Sequence, residues 1–179
     1  MSEWVKAGFV IVVNLMWVGG FWFFGERKKW REHYPTALFI CMWDLIELVL
    51  TFDKGLWRYP ENLLFHYHVF IDFQIQFLHL IPMTLWYLAR YPFGFRWTRQ
   101  AMYVLAFFLL NGVPEWVFYK LNLITYHNGW NYLWSLGIWL MMLLTIRLHA
   151  TRVLLAWCVC VACTVFAMWY FHIPLPTPS

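Results

Sequence analysis

Four of the nine acidic residues in this 179-residue chain, Asp44, Glu47, Asp72 and Glu115, fall inside long apolar runs, and His68 and His79 share one of those runs with Asp72. An ionisable group in an apolar medium is costly unless it is paired or faces a polar cavity, so each of the six is a functional candidate by default. Three kinds of chemistry suit the set. Paired carboxylates donate and accept protons, because desolvation and neighbouring imidazoles move their affinities in opposite directions. The same groups can relay a proton through part of a membrane. Carboxylates and imidazoles on facing helices can also hold a divalent metal.

The spacing groups these residues. On a helix, Asp44 and Glu47 lie about 60° apart, with Thr51 between their directions. At about 100° per residue, His68, Asp72, Gln76 and His79 fall within an arc of about 80°, whereas His66 and Gln74 point elsewhere. Asn111 and Glu115 are four apart and share a face. Pro114 between them cannot donate to the carbonyl of Leu110, which predicts a bend and an exposed backbone acceptor that neighbouring helices or water must satisfy. The predicted centre is therefore Glu47, Asp72, His68 and Glu115, as acid–base or ligand-binding groups, with Asp44 and His79 as deeper members.

A metal at this centre would take His68, Asp72, Glu47 and Glu115. No HExxH and no repeated ExxH supports it, so no cofactor is assigned. The blander reading is a hydrogen-bonded network holding helices together. Four acids are more than helix packing requires.

The elements that must position these groups are transmembrane helices. Of the residues, 63% are hydrophobic and 12% charged, against about 45–50% and 25% in soluble domains. A soluble fold of this size cannot hide so much apolar surface. Six segments approach the roughly 20 apolar residues that cross a bilayer, near 4–24, 35–52, 63–88, 101–119, 131–147 and 153–171. The count falls to five if the short, acid-bearing second segment does not cross. The first segment precedes its basic cluster and has no small-residue cleavage site, so it reads as a retained helix. The short loops and lack of internal repeats predict one all-α transmembrane helical bundle over 1–179, and weaken the commoner transporter architectures.

Nine basic residues, Arg27, Lys28, Lys29, Arg31, Arg90, Arg96, Arg99, Arg147 and Arg152, fall on one side of this arrangement. Lys6, Lys54, Arg58 and Lys120 fall on the other. The positive-inside rule puts the nine in the cytoplasm and both termini outside. Counting at about 1.5 Å per residue, Glu47, His68 and Glu115 then sit at similar levels in the outer half. That predicts a shared polar cavity opening outward.

The loop Tyr126-His127-Asn128-Gly129-Trp130-Asn131 has turn chemistry at Asn128-Gly129 and is placed to cover the cavity, with His127 within reach of it. The 14 Trp, 10 Tyr and 17 Phe are mostly lipid-facing bulk and interfacial anchors, with Trp43 and Trp116 as candidates to line an apolar pocket. Cys41, Cys158, Cys160 and Cys163 lie in apolar runs and read as packing residues. The net charge of +4 is small and scattered, and no phosphate loop or nucleic-acid motif is present. The lipid bilayer is the expected partner, with a small-molecule or lipid ligand and no nucleic acid.

One ordered series of motifs carries a resemblance. Arg27-Lys28-Lys29-Trp30-Arg31-Glu32-His33-Tyr34-Pro35-Thr36 leads into the acid-bearing helix, and Leu56-Trp57-Arg58-Tyr59-Pro60 follows it. Further on come Pro114-Glu115-Trp116-Val117-Phe118-Tyr119-Lys120, Ile124 to Asn131, and Ser135. Over residues 20–150 the chain resembles a family of small, functionally uncharacterised multi-spanning membrane proteins of spore-forming Firmicutes, the clostridia and bacilli. The resemblance implies a bacterial cytoplasmic membrane, a bundle of five or six helices, and a recurring glutamate and aromatic loop that match Glu115 and Tyr126 to Trp130. It implies no activity. The ligand motifs of the tryptophan-rich sensory proteins are not found.

The leading functional expectation is a carboxylate and histidine cavity, opening to the outer side, that binds a small or lipid-like molecule. A membrane-embedded enzyme acting on a lipid or isoprenoid substrate comes second and a proton-coupled carrier third. A structural or partner-binding subunit is the remaining alternative.

Overall fold

The computed structural model of the chain describes residues 2–60, 71 and 73–174. Among these the protein is almost entirely helical: α1 Glu3–Phe24, α2 Trp30–Leu50, α3 Ile81–Arg90, α4 Trp97–Lys120, α5 Tyr132–His149 and α6 Val153–Tyr170. Five of them, all but α3, are long and apolar enough to cross a membrane. The all-α bundle read from the hydropathy is the observed fold, and the helix limits fall close to the predicted spans. The start of the third span, near 63–70, lies outside the described residues.

Two local departures have clear causes. Helix α2 begins at Trp30, directly after a 3-10 turn over Arg27–Lys29, so it takes in part of the basic cluster. Pro35 then falls within its second turn, where the ring removes a single hydrogen bond. The larger departure is a π-helical stretch, Ile75–Leu80, that runs directly into α3. Its i→i+5 bonds widen the turn and rotate every side chain before it relative to those after it.

Helix α3 is central, packing against α1, α2 and α5, while α4 packs on α5 and α5 on α6. The core between them is largely aromatic, with Trp17, Phe39, Trp43, Tyr87, Tyr91 and Phe107 buried alongside Ile40, Met83, Leu143 and Ile146. Cys41 and Cys160 belong to this core, and all four cysteines are free thiols. At the basic end, Phe39 stacks on His149 at 4.3 Å, and His149 Nδ1 meets Thr36 Oγ1 at 2.9 Å, which ties α2 to the end of α5. The outward faces carry exposed large apolar side chains such as Val12, Phe23, Met102, Leu154, Val161 and Trp169. Such surface suits lipid, where it forfeits no water.

The opposite end is closed by an aromatic cap. A two-residue strand β1, Trp57–Arg58, pairs antiparallel with β2, Thr125–Tyr126. The turn foreseen at Asn128-Gly129 is present, with φ of 52° and 86°, values that asparagine and glycine tolerate best. Asn128 Nδ2 donates to the Gly55 carbonyl at 2.8 Å. The Asn131 carboxamide oxygen caps α5 by accepting from the Leu133 and Trp134 amides. Beneath them Leu56, Trp130, Phe171 and Ile173 form a second buried cluster. Lys54 Nζ donates to the Phe171 and His172 carbonyls at 2.7 and 3.2 Å, so a charge from the loop after α2 caps the end of α6.

At Gly20 the Trp86 indole of α3 packs directly against the backbone of α1. A Cβ there would stand 2.3 Å from two carbons of the Trp86 indole, a rigid ring with little room to yield. Gly8, on the same helix, has no atom within 4 Å of such a Cβ. Gly20→Ala is therefore expected to cost about 1–3 kcal/mol by overpacking. Gly8→Ala should be neutral or slightly stabilising, because it only raises helix propensity. Thermal unfolding of the two variants in detergent measures the contrast, and equal midpoints would refute this account of the α1–α3 contact.

Candidate functional site

Asn111 and Glu115 sit one turn apart on α4 and face the bundle interior, only 2% and 9% exposed. Helix α4 continues through Pro114 without a break in its assignment. The hydroxyl of Tyr132 donates to the Gly112 carbonyl at 2.8 Å, an additional tie between α5 and this part of α4.

Glu115 is held by two neutral donors. The Tyr126 hydroxyl, from the aromatic cap, donates to Oε1 at 2.7 Å. The Trp139 indole N–H, from α5, donates to Oε2. Burial, reinforced by the Glu115 carboxylate, pushes the Tyr126 hydroxyl above its ordinary pKa, so it remains a protonated donor.

His79 lies in the π-helical stretch, between two indoles. Its ring stacks on Trp17 at 5.0 Å and 13°, and on Trp139 at 5.3 Å and 20°. Its Nε2 is 2.8 Å from Asn111 Oδ1. The Asn111 amide nitrogen already donates to the Phe107 carbonyl at 2.8 Å, and a carbonyl can only accept. Oδ1 must therefore be the acceptor for His79, which places a proton on Nε2.

Asp44 on α2 accepts at Oδ2 from the Gln76 amide at 2.5 Å. Gln74 donates to Asn14 Oδ1 at 2.9 Å, and Asn14 in turn donates to the Val10 carbonyl at 3.0 Å. These chains converge. Asn14, Asp44, Gln74, His79, Asn111 and Glu115 all line one cleft of about 120 Å³ beneath the cap. Its walls include Trp57, Tyr59, Phe118, Trp130 and Trp139, and among the described residues that line it none is a lysine or arginine.

Several sequence expectations change. Glu47 does not join Asp44: it accepts from the Trp43 indole at 2.9 Å and lines a separate pocket of about 20 Å³ with Thr51, Leu56, Thr164 and Met168. The 60° between two positions three apart lets Asp44 meet the π-helical stretch while Glu47 turns towards α6. Trp43 is buried in the core and Trp116 is exposed, so neither lines the cleft. His127 is exposed and meets Thr125 Oγ1 at 3.0 Å, and it is Tyr126 beside it that reaches inward. Gln74, which uniform helical geometry turns away from His79, lines the same cleft because the π turn resets the angles. His68 and Asp72 lie outside the described residues. Of the proposed metal set, Glu47 and Glu115 line different pockets, and among the described residues no three His, Cys, Asp or Glu side chains are grouped to hold an ion.

Asn14 and Trp139 are site residues that sequence reasoning passed over, and it placed Tyr126 only in the covering loop. Asn14 is a lone amide in an otherwise apolar span and carries some signal. Trp139 carries none that separates it from the other 13 tryptophans. No family model, curated protein or solved structure matches the chain, so the resemblance to the spore-former family rests on its motifs.

Replacing His79 by Phe would keep a flat ring between Trp17 and Trp139 but leave Asn111 Oδ1 buried without a donor. The expected cost is about 1–3 kcal/mol, that of an orphaned buried acceptor, and His79→Phe combined with Asn111→Leu should recover part of it. Thermal midpoints of the single and double variants test this. A double variant no better than the sum of its parts would show that the two residues do not act as a pair.

Proposed function

We propose that the protein is a membrane-embedded binding protein whose cleft takes a small organic cation with an apolar body from the outer side. The observation that carries the reading is the convergence of Asp44 and Glu115, from different helices, on one aromatic-walled cleft that has no lysine or arginine among the described residues of its lining. Among the described residues both hydrogen-bond donors to Glu115 are neutral, so they orient its carboxylate without forming an ion pair with it. A cation offsets that charge and rests against indole and phenol faces, which favour it.

The size is consistent with a small occupant. A core cavity of about 150 Å³ holds a benzene ring, and this cleft measures about 120 Å³. The cap over it lies at the end of the bundle with fewer basic residues, which the positive-inside rule makes the outer side. The likeness of residues 20–150 to the spore-former family adds a bacterial cytoplasmic membrane to the proposal.

Isobutylamine, isobutanol and isobutyrate share one body smaller than a benzene ring and differ in charge. Calorimetric titration of the purified protein is expected to favour isobutylamine over the other two by about tenfold or more, or about 1.4 kcal/mol. Glu115→Gln and Asp44→Asn keep an acceptor oxygen but lose the charge, and each should weaken only the amine. Glu47→Gln, in the other pocket, should leave the affinity unchanged. Equal affinity for all three compounds would remove the charge preference while leaving the pocket, and binding of none would remove the pocket itself.

The orientation is tested separately. Alkaline phosphatase fused after Ser179 should be active in a bacterial host and green fluorescent protein at the same place dark. The reverse would put the cleft on the cytoplasmic side.

A further inference from the structure

A second site lies at the basic end of the bundle, on the seam between α4 and α5. There a groove of about 490 Å³ opens outward between the two helices. Val104, Leu105 and Phe108 of α4 and Leu140 and Leu144 of α5 line it, and Arg147 stands at its end. On both helices these positions recur at three- and four-residue intervals, so each contributes a single stripe. From Leu140 to Arg147 the groove runs about 10 Å along the helix axis. Leu105, Leu140 and Leu144 are exposed, so the groove faces the surrounding lipid rather than the interior.

Arg147 is out of keeping with such a groove unless something meets it. Its Nε is buried and has no hydrogen-bond partner among the described residues. Its guanidinium carbon lies 5.9 Å from the centre of the Tyr91 ring. The polar groups nearest it are neutral: the Tyr91 hydroxyl donates to Gln100 Oε1 and can accept from the guanidinium, and the Tyr87 phenol lies close by, so neither cancels the Arg147 charge. No acidic residue lines the groove. An arginine near a helix end ordinarily extends its head into water and leaves no donor both buried and unsatisfied, whereas Arg147 Nε is both among the described residues.

The groove's polarity follows that of a phospholipid. A fixed positive charge with a planar set of donors stands at the interfacial end, and an apolar channel leads from it towards the middle of the bundle. Guanidinium donors match phosphate oxygens in pairs, and basic pockets between helices on the cytoplasmic side favour anionic headgroups. We propose that this groove is a binding site for an anionic phospholipid of the leaflet on the basic side, with its phosphate on Arg147 and one acyl chain along the leucine stripe. The site is separate from the cleft under the cap and does not depend on what the cleft binds.

Native mass spectrometry of the detergent-purified protein, offered phosphatidylglycerol or phosphatidylcholine with the same acyl chains, tests the proposal. Phosphatidylglycerol should be retained roughly fivefold more, the preference that about one well-placed unit charge supplies. Arg147→Gln should bring its retention down to that of phosphatidylcholine, and Arg147→Lys should keep part of the preference. Leu144→Trp, which fills the channel and leaves the charge, should lower retention of both lipids. An unchanged thermal midpoint in lipid-free detergent separates these effects from misfolding. Equal retention of the two lipids, or a preference that survives Arg147→Gln, would overturn the proposal. So would displacement of the bound lipid by millimolar inorganic phosphate, which would mark a site for free anions.

Discussion

A carboxylate inside a bundle of apolar helices must draw its hydrogen-bond donors from whatever surrounds it, and in this protein that requirement falls on Glu115. Its two oxygens take a phenol from the aromatic cap and an indole from α5, so one side chain ties α4 to two other parts of the chain. The indole it uses, Trp139, also stacks on His79, and His79 stacks in turn on Trp17 of α1. The His79 contact with Asn111 returns the chain of contacts to α4, one turn from where it began. Polar geometry at Glu115 and Asn111 thus fixes the rotation of helices whose apolar surfaces would pack in many ways.

Much of the frame was legible because hydropathy and charge act on whole segments. A run of apolar residues long enough to cross a bilayer is a helix whatever its neighbours do, and clusters such as Arg27 to Arg31 mark its ends. Single acids within such runs were legible as well, since Asp44 and Glu115 stand against a nearly uncharged background. Tertiary packing decided what was not. Asp44 and Glu47 look like one pair at sequence level, yet two different neighbours, the π-helical stretch and α6, draw them to separate pockets. The π turn has no motif of its own, and it alone brings Gln74 round to the cleft. In a chain with 23% aromatic residues, nothing local distinguishes an indole that serves a carboxylate from one that faces lipid.

The two ends of the bundle are built differently. At the capped end, two short strands, a turn through Asn128 and Gly129, and the Lys54 contact with the end of α6 form a small aromatic lid over polar groups. At the basic end, helices meet through ring stacking and the Thr36–His149 hydrogen bond, and the seam between α4 and α5 stays open beside Arg147. Negative charge therefore concentrates beneath the lid, and positive charge at the far rim.

Neutral donors at Glu115 also bear on function. An arginine in the place of Trp139 would satisfy the carboxylate more strongly, but the resulting pair would have little net charge and little attraction for an arriving cation. A phenol and an indole fix the position of the oxygens while leaving the charge in place, and the aromatic surfaces around them present negative faces to the same cleft. On the proposed function, an occupant of opposite charge would add to the stabilisation that the phenol and indole give the carboxylate, and that added interaction would be read as affinity. The aromatic richness and the isolated acids, which look unrelated along the sequence, then serve one electrostatic purpose.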